Sequence, residues 1–145
     1  MRKTVTFTVS DEGRDHDKVF LLTEMSAAEA EDWALQAFFA LMNAGIDIPE
    51  DVSEMGFAGI AAIGLKALGK VPYFMAEPLL NKIMECIKIV PDAKQPNVIR
   101  ALIESDIEEP VTRIKLKKAV FELHTGSFMP AAPSTSAKAA NQATI

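Results

Sequence analysis

The sequence predicts an α+β fold: an N-terminal β-hairpin packed with about four helices, mostly helical, followed by a flexible C-terminal tail. Three observations carry this. Lys3–Val9 alternates apolar and threonine side chains, as a half-exposed strand does. From Ser26 onward the apolar residues recur at helical spacing. Beyond Phe128 the composition changes to Ala, Pro, Ser, Thr and Asn, which cannot bury enough apolar surface to offset the entropy of ordering. The domain therefore spans 1–128 and the tail 129–145.

The elements follow in order. Val5, Phe7 and Val9 mark one face of the first strand, and Thr4, Thr6 and Thr8 the other. Ser10–Asp17 is a polar turn, and Lys18–Glu24 a second strand that closes the hairpin. Ser26-Ala-Ala-Glu29 has the spacing of a capping box, in which the serine hydroxyl and the glutamate each satisfy a free amide. The helix it opens runs to about Asn43, with Gly45 as its stop. Ala30, Trp33, Ala34, Ala37 and Leu41 form one stripe of this helix. Leu35, Phe38, Phe39 and Met42 lie outside it, so the apolar arc is broader than a surface helix needs.

A second helix is expected over Glu54–Leu68, apolar nearly all round and interrupted by glycines. A third opens at Glu77-Pro78, where proline is tolerated in the first turn, and ends at Pro91. Val98–Ile103 reads as either strand or helix, leaning to extended structure. Asp106-Ile-Glu-Glu109 is a second capping-box pattern, with a helix start that Pro110 can move to Glu109 and a stop at Gly126.

With 145 residues the chain can bury a core without disulfides or metals. One cysteine, Cys86, excludes an internal disulfide and fits a reducing compartment. The net charge of −5 disfavours nucleic acid as a partner. The apolar run Met55–Leu65 is too short to span a bilayer, which needs about 18–20 residues. A cytoplasmic protein is the simplest expectation.

No catalytic constellation stands out, and no cofactor or metal is expected. His16 sits among Asp11, Glu12, Asp15 and Asp17, but their spacing fits no metal loop, and a solvated turn explains them. His124 is read as a cation at a helix end, and Cys86 as a buried inert thiol. The basic run Arg113–Lys118 is read as a solvated helix face. What remains is a surplus of apolar helical residues and seven methionines, more than one small core obviously consumes. The surplus points to a protein partner or a second copy.

The strings Phe20-Leu-Leu-Thr-Glu-Met25, Ala28-Glu-Ala-Glu-Asp-Trp-Ala-Leu-Gln-Ala37, Cys86-Ile-Lys-Ile-Val-Pro-Asp92, Asp106-Ile-Glu-Glu109 and Val120-Phe-Glu-Leu-His-Thr-Gly126 resemble the tail assembly chaperones of long-tailed bacteriophages and prophages. The resemblance covers about Val5 to Phe128. Pro110 departs from the small apolar residue the pattern has there. The resemblance implies a non-enzymatic helper that binds the tape-measure protein, keeps it soluble, helps recruit tail tube protein, and leaves before the virion matures. It also implies that a frameshifted longer form can contact the tube protein. A structural minor tail or connector protein is the alternative. The contact residues expected are Trp33, Leu35, Phe38, Phe39, Met42, Phe57, Ile60 and Ile63.

Overall fold

The computed structural model describes residues 1–45 and 69–128. An antiparallel sheet forms in the order β1 (Thr4–Thr8), β2 (Val19–Thr23), β3 (Ile87–Val90) and β4 (Arg100–Ala101). Three helices accompany it among the described residues: α1 (Ala27–Asn43), α2 (Tyr73–Met84) and α3 (Pro110–Phe128), with a 3-10 turn at Glu104–Asp106 before the last. The α+β class and the N-terminal hairpin are as the alternation and helical periodicity predict. The expected helix at 54–68 and the tail at 129–145 lie outside the described residues. Among the described residues no helix is long and apolar enough to cross a membrane.

The hairpin pairs Phe7 with Phe20 and Val5 with Leu22, and β2 pairs Phe20 with Ile89 and Leu22 with Ile87. Directly opposed residues share a face, so this register gathers one apolar face. Phe20, Leu22, Ile87 and Ile89 are buried on it with Leu41, Leu79, Ile83, Leu116 and Val120 from the helices. Because β1 is an edge, its apolar face is only partly covered: Val5 stays exposed and Phe7 half-buried.

α1 starts as its capping box dictates. The Glu29 amide donates to Ser26 Oγ (3.2 Å), and the Ser26 amide to Glu29 Oε2 (3.0 Å). Lys82 Nζ of α2 reaches the same carboxylate (3.1 Å). The Ser26 amide and Lys82 together hold the Glu29 carboxyl down at about 2. Gly45 adopts a positive φ of 80° two residues past the helix, a conformation that costs an L side chain strain.

Three elements, α2, β3 and α3, differ from the sequence expectation. α2 begins at Tyr73 rather than Glu77, with Pro72 at its cap and Pro78 inside it. Proline has no amide to offer the carbonyl one turn back, and the helix accepts that loss because Ala76, Leu79 and Ile83 are buried. It also ends at Met84, not Pro91, and Ile87–Val90 forms β3. The apolar alternation of Ile87, Lys88 and Ile89 is a period-two signal that continued the helical stripe by coincidence. Of the 98–103 stretch, Arg100–Ala101 forms β4.

The start of α3 is built differently from the predicted capping box. Asp106 instead accepts from the Ile103 amide (2.7 Å) and from Arg100 Nη1 and Nη2, at 2.8 and 2.7 Å. The cap comes from the hairpin loop. Asp15, 1% exposed, accepts from the backbone amides of Glu108 (2.9 Å) and Glu109 (2.8 Å). Pro110 then sits where no amide is needed. At its other end α3 passes Gly126 and continues to Phe128.

Candidate interaction surface

α1 carries most of the expected contact residues, and the structure sorts them. Trp33 is not a surface anchor. It is 2% exposed, its Nε1 donates to the Leu79 carbonyl (2.9 Å), and its ring meets Phe121 edge-on at 6.1 Å. A buried indole needs such an acceptor, so Trp33 binds α1 to α2 and α3. Phe38 is half-buried against the core and touches Phe39 edge-on at 5.8 Å.

Leu35, Phe39 and Met42 are exposed by 47%, 57% and 53%. Their spacing of four and three residues places them on one line along the helix. The opposite side of α1 is consumed by Ala30, Trp33, Ala34, Ala37, Ala40 and Leu41, all buried. Of the remaining expected contacts, Phe57, Ile60 and Ile63 lie outside the described residues.

A second apolar region was not legible in the sequence. Tyr73 and Phe74 are exposed by 69% and 75% in the first turn of α2. Beside them Val71, Tyr73, Ala76, Leu80, Ile83 and Ile114 line an open groove of about 570 Å³ between α2 and α3. Lys117 stands at its rim, its ammonium disfavoured by burial and by Arg113. Placing the start of α2 at Glu77 hid Tyr73 and Phe74; Pro72 was the available signal.

The polar groups are arranged for structure. Lys18 Nζ bonds Asp15 Oδ1 (2.9 Å), the Asp106 carbonyl (2.9 Å) and Glu108 Oε2 (3.2 Å). Burial alone would push the Asp15 carboxyl up. Lys18, the Glu108 amide, the Thr112 hydroxyl and the Glu109 amide outweigh it and hold the group well below the usual carboxylate range. Asp15 is thus a buried cap rather than part of a solvated turn. Asp17 beside it has a φ of 66°, and its amide closes the hairpin onto the Val9 carbonyl (2.9 Å).

His124 is likewise not a helix-end cation. It is 1% exposed; its Nε2 accepts from the Met25 amide (2.8 Å), and its Nδ1 faces the Val120 carbonyl (2.8 Å). That pairing assigns the proton to Nδ1. Cys86 is buried, and burial raises its thiol to about 11. Among the described residues no three His, Cys, Asp or Glu side chains group to hold a metal ion.

The described site is therefore an apolar surface on α1 and α2, and among the described residues no buried side-chain polar atom lacks a hydrogen-bond partner. No family model, curated protein or solved structure matches the chain.

Proposed function

We propose that this chain is a phage tail assembly chaperone acting in the cytoplasm of the infected bacterium. It binds exposed apolar stretches of the tape-measure protein, keeps that protein soluble, and helps recruit tail tube protein before release. It acts by binding, with no catalytic step and no cofactor. The observation that carries this reading is the line of Leu35, Phe39 and Met42, large apolar side chains exposed on a helix whose other side is fully used by the core. A client that exposes long amphipathic helices fits such a face through many modest contacts. Methionine adds adaptability, and the acidic net charge supplies solubility. The resemblance of the strings in β2, α1, β3 and α3 to tail assembly chaperones supplies the identity of the client.

Co-expression with the tape-measure protein of the same phage tests this. A soluble complex is the expected result, and purified virions should lack the chain. A tape-measure protein that stays insoluble with or without this chain refutes the reading. Persistence in finished particles points instead to a minor tail or connector protein.

A further inference from the structure

Among the described residues β1 is an edge strand with one side unpaired. The inter-strand bonds already made fix its phase: Glu24 donates to the Lys3 carbonyl (3.0 Å), and Val9 donates to the Lys18 carbonyl (3.0 Å). Antiparallel ladders alternate, so Lys3, Val5, Phe7 and Val9 aim their backbone groups at β2. Thr4, Thr6 and Thr8 therefore aim theirs outward, and among the described residues these have no backbone partner. The strand Thr-Val-Thr-Phe-Thr contains no charge, proline or bulge, the features that normally guard an edge.

We infer that this edge pairs with β1 of a second copy, antiparallel about a two-fold axis at Thr6. The sequence is self-complementary in that register. Thr6 faces the partner subunit's Thr6, and Thr4 faces the partner subunit's Thr8. Those are the residues whose amides and carbonyls are free, so each facing pair exchanges two bonds. Val5, 43% exposed, falls opposite the partner subunit's Phe7 at the closely spaced non-bonded position. That extends the apolar face across the axis. A second copy satisfies all of these at once, and the contact is isologous, so it closes as a dimer.

Amide exchange of the full chain over a concentration series, with sedimentation in parallel, tests this. A dimer is expected, with the Thr6 amide becoming protected in step with dimer formation while the Val5 and Phe7 amides are protected throughout. Thr6→Lys places an ammonium opposite its symmetry mate on the exposed threonine face. It should weaken the dimer about tenfold or more with an unchanged circular dichroism spectrum. A chain that stays monomeric, a dimer whose Thr6 amide exchanges like coil, or protection of Thr6 only on adding a client segment overturns the proposal. The exchange pattern of the unmodified chain decides it even if the variant folds poorly.

Discussion

The Asp15 carboxylate reaches 93 residues along the chain to accept the amide of Glu108, so the hairpin loop supplies the N-terminal cap of α3. Arg14 reinforces the junction with a bond to Glu109 Oε1 (2.8 Å). Sheet and last helix are thereby joined through one buried anion. Asp15→Asn keeps the volume but turns amide hydrogens toward backbone donors and leaves Lys18 short of an anion. It should cost about 3 kcal/mol, read as a lower denaturant midpoint at unchanged slope. A loss under about 0.5 kcal/mol would show that the cap is not a joint.

The same group sets acid stability. Asp15, Asp106 and Glu29 are all held below their ordinary values in the fold. For groups depressed in this way, the stabilisation is complete above the unfolded carboxylate range, about pH 4, and is lost as pH falls through the folded values. Stability should be flat from neutrality to about pH 5 and fall steeply toward about pH 2. Urea melts across that range should show a shallower fall for Asp15→Asn than for the parent chain. Equal slopes would remove Asp15 from the set.

His124 gives a second joint, between α3 and the residue that precedes the cap of α1. ¹⁵N spectra of the imidazole should show the proton on Nδ1 and a bare Nε2, as the Met25 amide requires. His124→Phe fills the site but strands that amide, and about 2 kcal/mol of stability should go with it. A proton found on Nε2 contradicts the bond.

Cys86 should be nearly inert while the chain is folded. With its thiol raised to about 11 by burial, the thiolate fraction at mild alkaline pH falls on the order of a hundredfold below that of a free cysteine. Disulfide-exchange labelling should be slow in buffer and complete in denaturant. Rapid labelling of the native chain would mean that the site opens.

These joints also show what the sequence could convey. The hairpin, the capping box of α1 and the buried stripe from Ala30 to Leu41 are local: period, cap spacing and stop residue lie within one segment, and they were legible. The role of Asp15 was not, since its partners lie beside Pro110 and nothing local distinguishes it from Asp11 or Asp17. β3 was hidden because Ile83, Ile87 and Val90 suit a helical stripe, while the pairing with β2 that makes a strand is non-local. The contact surface was half legible. Leu35, Phe39 and Met42 fall outside the buried stripe by spacing alone, whereas the burial of Trp33 depends on Leu79 and Phe121 from two other helices.

The proposed client surface separates from the core by its mutational signature. Phe39→Glu changes a side chain that is 57% exposed, so the thermal midpoint should move little, within about 0.5 kcal/mol in stability. Trp33→Ala empties a core position and breaks the bond to Leu79, costing about 4 kcal/mol. If α1 presents its outer line to the tape-measure protein, Phe39→Glu and Leu35→Glu should each abolish most of the soluble complex on co-expression while the chaperone itself stays folded. Placing a charge against an apolar client leaves it desolvated without a partner, an effect that reaches several kcal/mol at the centre of an interface. The decisive comparison is between complex yield and melting temperature for the same variants. If both glutamate variants melt normally and still bring the tape-measure protein into solution, α1 is not the contact face and the groove beside Tyr73 becomes the surface to test.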